Sequence, residues 1–219
     1  MDWQTASRPF NKRAEEYDSW FENNPLFDIE LKTLLAIREN LPRPRLEIGV
    51  GPGRFAQALE VDYGIDPAIS PLQLATSRSI MVINAIGESI PLISASMGTV
   101  FMLFTLCFLT DPEHVLKECS RVIKPNGKLV IGMVPQLSEW GKLFNKKGDK
   151  GHPYYRHARF RTIAGTKEML SQNGFAVIES WSTLLQSPDK PVMDETPQSG
   201  INEDAGFCVL ITGKKGDSQ

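Results

Sequence analysis

The stretch Leu46-Glu47-Ile48-Gly49-Val50-Gly51-Pro52-Gly53-Arg54 constrains this chain more than any other. An apolar run ends in three glycines at alternate positions, and a helix-forming segment follows. Glycine accepts positive φ and carries no Cβ. The spacing therefore predicts a strand that turns sharply into a helix, with its backbone laid against a ligand. An acidic residue closes the next apolar run, Tyr63-Gly64-Ile65-Asp66, and a carboxylate there is able to accept both hydroxyls of a ribose. A nicotinamide-binding loop is the main rival. That fingerprint requires Gly-x-Gly-x-x-Gly, whereas here the third glycine comes one residue early and Arg54 holds its place. A plain helix cap at Asp66, ahead of Pro67, is the simpler alternative for the acid.

The rest of the chain sets the surroundings. Its 219 residues suit one α/β domain with a full core and a small appendage. A net charge of −2 gives no support for a nucleic-acid footprint, which needs a basic face. Cys107, Cys119 and Cys208 are scattered and odd in number, and read as reduced core residues of a cytoplasmic protein. The start, Met1-Asp2-Trp3-Gln4, lacks the blocks of a signal peptide. The longest apolar run, Val100 to Leu109, is roughly half of a membrane span.

Residues 1–24 read as an N-terminal arm or lid, with a short helix over 13–21 placing Tyr17, Trp20 and Phe21 on one face. Asn24-Pro25 starts a helix with Phe27, Leu31, Leu34 and Leu35 on its stripe. Strands and helices then alternate: strands over 45–50, 61–65, 80–84, 100–106 and 128–134, with helices between. The run 100–106 is apolar on both faces, as in a buried parallel sheet. The pattern breaks at Pro135, and residues 136–162 read as an inserted cap rich in aromatics. A helix over 167–172 and strands over 175–185 and 207–211 complete the domain, 1–213, and 214–219 read as a disordered tail. Two late strands with no helix between them predict an antiparallel edge on a mostly parallel sheet.

With these residues placed, the chain resembles the class I S-adenosylmethionine-dependent methyltransferases, and within them the small-molecule group that includes quinone-biosynthesis enzymes. Four motifs in register carry the resemblance: the glycine loop, Gly64-Ile65-Asp66-Pro67, Gly87-Glu88-Ser89-Ile90-Pro91-Leu92, and the segment from Glu118 to Gly132 centred on Arg121-Val122-Ile123-Lys124-Pro125-Asn126-Gly127. The resemblance implies a Rossmann-like seven-stranded sheet flanked by helices, order 3-2-1-4-5-7-6 with strand seven antiparallel. It implies S-adenosyl-L-methionine as cofactor, S-adenosyl-L-homocysteine as product, and a small-molecule methyl acceptor at N, O or C. RNA or protein methylation is the alternative within the family, and a non-catalytic cofactor-binding protein the alternative outside it. No membrane partner and no metal are expected, and the protein is expected to be a monomer or homodimer.

The residues expected around the cofactor are Tyr17, Glu47, Gly49, Gly51, Gly53, Asp66, Pro67, Ile86, Gly87, Glu88 and Thr105. The chain departs from the family at two places. Ile86 stands where an acid often reaches the adenine amine, which shifts adenine recognition to apolar packing and backbone groups. Gly98 stands where an Asp usually precedes strand four. After that strand, Cys107 and Phe108 offer no base, and the cap supplies the expected catalytic candidates, Tyr154, Tyr155 and His157. For His157, a surface histidine is the plainer reading. Methyl transfer depends mainly on orientation, so a base matters only where the acceptor must lose a proton.

Overall fold

The structure is a computed structural model and describes residues 2–216. Four parallel pairings build the first part of the sheet. β1 (Arg45–Ile48) lies between β2 (Tyr63–Asp66) and β4 (Met97–Leu103), β3 (Met81–Asn84) flanks β2, and β5 (Ile123–Met133) flanks β4. β8 (Phe207–Lys214) then runs antiparallel to both β5 and β6 (Phe175–Thr183). The order is therefore β3-β2-β1-β4-β5-β8-β6-β7. The expected order holds for the seven long strands. The eighth is a two-residue addition, β7 (Gln198–Ser199), which pairs with Trp181 and Ser182 from within the long loop before β8.

The core sits on both faces of the sheet, because β4 and β5 are apolar at successive positions. Val100 and Met102 face one side with Leu129 and Ile131, under Val115, Leu116 and Cys119 of α6 (Pro112–Val122) and Leu170 of α8 (Ile163–Gln172). Phe101, Leu103 and Val130 face the other side, under α3 (Pro25–Arg38), α4 (Arg54–Ala58) and α5 (Ile69–Ser77). The stripe expected on α3 is rotated. Ile29, Leu34 and Ile37 are buried, Phe27 and Leu31 are half-buried, and Leu35 is exposed.

Two segments at the carboxyl ends of the strands frame the site. The arm is two helices, α1 (Trp3–Lys12) and α2 (Ala14–Ser19), where one short helix was expected. Asp2 caps α1 by accepting the Thr5 N–H, and Asn11 Oδ1 accepts the Ser70 N–H at 3.0 Å, so α1 is pinned across the start of α5. Between β5 and α8 the chain forms α7 (Glu139–Asp149) and a 3-10 turn (Tyr155–His157). The Arg159 N–H donates to Cys107 O at 2.7 Å, tying the end of this segment to the turn after β4.

Lys214 belongs to β8 instead of a tail, and Lys215 donates through its backbone to Gly174 O and through Nζ to Ser171 O. Residues 217–219 of the expected tail lie outside the described residues. No helix among the described residues is long and apolar enough to cross a membrane.

Candidate active site

The glycine loop leaves β1 through three left-handed residues, Gly49 (φ 72°), Gly51 (φ 50°) and Gly53 (φ 82°). Each glycine is required for a different reason. A Cβ on Gly49 would run into the Thr105 side chain, which is held by its own bond from Oγ1 to Leu103 O at 3.0 Å. A Cβ on Gly53 would lie 2.6 Å from Ile80 Cδ1 and 3.0 Å from Ala75 Cβ, so this glycine lets α4 pack against α5 and the strand after it. At Gly51 a Cβ would meet only the Tyr17 ring, at 3.7 Å, because the other side of this residue is open cleft.

That cleft holds about 810 Å³ of empty space at the carboxyl ends of β1, β2 and β4, the usual place for a ligand in an open α/β sheet. Nine of the eleven residues expected around a cofactor line it: Tyr17, Gly49, Gly51, Asp66, Pro67, Ile86, Gly87, Glu88 and Thr105. Gly53 lies behind the loop in a packing role. Glu47 lies beneath it, 2% exposed within β1.

The wall also contains residues not expected there, together with Phe108, whose segment after strand four was expected beside the site. Trp3, Ala6, Ser7 and Phe10 reach it from one face of α1, and Phe104 and Phe108 reach it from the end of β4. The spacing 3-6-7-10 is helical and was available in the sequence. Phe104 adopts a left-handed φ of 55°. This is strained for a bulky residue, and such strain concentrates at functional sites. Its amide donates to Gly132 O at 2.8 Å and its ring stacks on Phe207, 4.8 Å between centroids, which holds the conformation in place.

Asp66 faces the loop across the cleft. Its Oδ2 accepts the Gly51 N–H at 3.0 Å and its Oδ1 accepts the Ala68 N–H at 2.7 Å. The second bond is a local turn onto Ala68, the residue before α5, and not the helix cap that the plain reading expected; the first reaches across to the glycine loop. Burial pushes this carboxyl up to about 6, and the two backbone donors hold it down in part. Each oxygen keeps a lone pair for a further donor. Burial, and secondarily the nearby Asp66 charge, push the Glu47 carboxyl well up, and its Oε2 is buried without a partner among the described residues. An orphaned buried oxygen of this kind calls for a donor. Glycine backbone open to the cleft, free acceptor sites on Asp66 and the orphan on Glu47 together fit an adenosine-bearing ligand with a cationic end.

The remaining motifs build the opposite wall. Arg121 forks onto Glu118 at 2.7 Å and donates to the carbonyls of Ile90 and Leu92, while Glu118 accepts the Ile90 N–H. The turn carrying Gly87 and Glu88 is thereby stapled to α6, which explains why the two motifs occur together. Gly98 lies inside β4, not before it. A Cβ there would sit 2.6–2.7 Å from the backbone of Pro42 and Arg43, so no aspartate fits.

The three catalytic candidates do not line the cleft. Tyr154 is 2% exposed and packs against Phe10, Tyr17 and Trp20 of the arm, with ring centroids 4.9, 5.5 and 4.9 Å away. It joins the cap to the arm. Tyr155 stacks on Phe144 and His152 at 4.6 and 4.5 Å. His157 has a buried Nδ1 with no partner among the described residues, and burial lowers its pKa. Cys107 donates to Phe104 O, and burial pushes its thiol up to about 12.

Comparison with known proteins gives four findings. A family model for a methyltransferase domain matches residues 46–131. An uncharacterized protein of Mycobacterium tuberculosis is 40% identical over 209 residues, 94% of this chain and 73% of that one. The crystal structure of an S-adenosylmethionine-dependent methyltransferase of Thermotoga maritima, described as a possible histamine N-methyltransferase, superposes with a TM-score of 0.85 at 31% identity and covers 95% of this chain and 99% of that one. A shorter match, 30% identical over 103 residues, is to the malonyl-[acyl-carrier protein] O-methyltransferase of Hahella chejuensis, covering 42% of this chain and 37% of that one.

Proposed function

Because this chain belongs to the S-adenosylmethionine-dependent methyltransferases, we propose that it binds that cofactor in the cleft over the glycine loop and methylates a small molecule. The observation that carries the cofactor assignment is the facing pair of Gly51 and Asp66, backbone open to the cleft on one side and a carboxylate with free acceptor sites on the other. Asp66 would take the ribose hydroxyls. Gly49, Gly51 and Thr105 would cradle the methionine portion, with Glu47 beneath its amino end. Ile86 and Pro67 would flank the adenine, with Gly87 and Glu88 at its edge.

The bound cofactor supplies a methyl group already activated on a sulfonium. The protein's part is to orient the acceptor in line and to exclude water. Tyr17 lies over Gly51, α1 closes the outer side, and Tyr154 fastens the cap to that arm, so the reacting space is walled by aromatic rings. Cys107 stays protonated at neutral pH and is no base. His157 and Tyr155 do not line the cleft, so neither is assigned as a proton acceptor, and an acceptor molecule that reaches the cleft already neutral is favoured.

A small acceptor is favoured over RNA because Asp66 and Glu88 are the charged residues of the cleft wall and both are acidic. That wall repels a polyanion and suits a neutral or cationic molecule. The description of the Thermotoga enzyme puts amines on the test panel, and the acyl-carrier O-methyltransferases put carboxylates there. The test is transfer of a labelled methyl group to a panel of amines, phenols, carboxylates and short RNAs. Turnover on a small amine or phenol supports the reading, and transfer to RNA alone overturns it.

A further inference from the structure

We propose that Asp18 is a positioning residue that latches the N-terminal arm over the glycine loop, and that this latch sets the rate at which the cofactor and its product exchange. The inference rests on the methyltransferase reading of the cleft.

Apart from the Asn11–Ser70 bond and the packing of Tyr154 on its aromatic rings, the arm makes few buried contacts. α1 buries only Ala6 and Ser7, and α2 buries no residue. Segments with few buried apolar contacts open most readily. Yet this arm encloses the cleft: Trp3, Ala6, Ser7 and Phe10 line it, and Tyr17 covers Gly51. A ligand seated on Gly51 cannot leave past Tyr17 unless the arm lifts.

What ties the Tyr17 end of the arm to the glycine loop is a charge cluster of Asp18, Glu22, Arg54 and Arg78, with Asp18 next to Tyr17 in the chain. Arg54 grips Asp18 with both Nε and Nη2, each at 2.7 Å, and Arg78 Nη2 reaches the same carboxylate at 2.8 Å. Forked pairs of this kind are the strong ones. The side chains of Asp18, Arg54 and Arg78 are 13%, 21% and 15% exposed, so solvent screens them little. Together the two arginines hold the Asp18 carboxyl below the usual range. Both are fastened to the loop that the ligand lies against. Arg54 directly follows Gly53, and Arg78 Nη1 donates to Pro52 O at 2.7 Å. The latch therefore sets Tyr17 in register with Gly51 instead of merely anchoring the arm to a distant surface. Glu22, also paired with Arg54 at 2.8 Å, is 59% exposed and belongs to the rim.

The arrangement also accounts for Arg54 in a place where a dinucleotide loop needs glycine. A side chain there is the handle by which the arm is held.

The test is the dissociation rate of S-adenosylhomocysteine from the full-length protein, followed by stopped-flow through tryptophan fluorescence. Asp18→Asn should release product about tenfold faster, the order expected from losing charge-assisted bonds. Asp18→Glu should restore part of the slow release, and Glu22→Gln should change it by less than about twofold. Because Asp18 acts through Tyr17, the double variant Tyr17→Ala/Asp18→Asn should release no faster than Tyr17→Ala alone. Should Asp18→Asn fail to fold, Arg78→Gln, which keeps the Arg54 fork, should give an intermediate rate. Unchanged release in the Asp18 and Arg78 variants, or effects of Tyr17 and Asp18 that simply add, would overturn the latch while leaving the methyltransferase reading standing. A wild-type protein that binds no S-adenosylhomocysteine would overturn both.

Discussion

Replacing Asp66 with Asn separates what this residue does for the fold from what it does for the ligand. In the free protein its carboxylate sits against two opposing effects. Raising it from an ordinary 3.8 to about 6 means that its charge costs the fold about 3 kcal/mol at most above pH 6. Because Asp66 is only half-buried, solvent brings that closer to about 1–2 kcal/mol. Against this stand the bonds from Gly51 and Ala68, of which an asparagine keeps one and loses the other, at about 1.5–3 kcal/mol. The two changes nearly cancel, so the melting temperature of the free protein should move by only a few degrees.

Ligand binding has no such cancellation. Two ribose hydroxyls lose an ionised acceptor, worth about 1.5 kcal/mol each and about a hundredfold in affinity together. At a ligand concentration of about a hundred times the wild-type Kd, S-adenosylhomocysteine stabilises the wild type by about 2.7 kcal/mol. The variant would then sit near its own Kd and gain only about 0.4 kcal/mol. Thermal unfolding with and without ligand reads both numbers. Retention of the full ligand shift by Asp66→Asn would refute the ribose assignment, whatever happened to the free protein.

Three further outcomes follow from the same geometry. Since the folded carboxyl of Asp66 lies above its ordinary value, the native state binds its proton more tightly than the unfolded chain does; its contribution is fully present below about 3.8 and is lost as pH rises through about 6. Ligand affinity should run the opposite way and weaken as pH falls through about 6, which calorimetric titration across that range would measure. Gly53→Ala should lose roughly 3 kcal/mol and about 10 °C in melting temperature, because its Cβ meets Ile80 and Ala75 at a left-handed φ. Gly51→Ala should lose only about 1–2 kcal/mol yet bind S-adenosylhomocysteine more weakly, and equal behaviour of the two variants would contradict their separate roles. His157→Asn should leave kcat within about threefold for protonated and neutral acceptors alike, because its ring lies outside the cleft wall; a roughly hundredfold loss confined to the protonated acceptor in a pH-resolved kinetic comparison would contradict that placement.

The parts of this molecule that were legible in its sequence are those fixed by local chemistry. The glycine loop, Asp66 and the turn at Glu88 depend on residues within a few positions of each other, and nine of the eleven residues expected around a cofactor fell on one cleft. Alternation, and two late strands without a helix between them, pointed to a mostly parallel sheet with an antiparallel edge, while the order of its strands came only through the family resemblance. What stayed hidden depends on distant partners. The buried face of α3 was misjudged by part of a turn because three elements compete for it, and Leu35 lost to Ile29 and Ile37. α1 escaped notice because Pro9 interrupts a mostly polar run, although its cleft-facing spacing is regular. Tyr154 read as a catalytic candidate because its pairing with Phe10, Tyr17 and Trp20 spans more than a hundred residues of sequence. Gly98 looked like a missing aspartate until the Pro42–Arg43 backbone showed that nothing larger fits.

The cleft over Gly49 and Gly51 is the proposed site for S-adenosylmethionine. Equilibrium titration of the purified wild-type protein with S-adenosylhomocysteine, with NADH as the comparison ligand, tests it most directly. Saturable binding of S-adenosylhomocysteine at one site per chain, with no binding of NADH, is the expected result. Saturable binding of NADH with none of S-adenosylhomocysteine would contradict it.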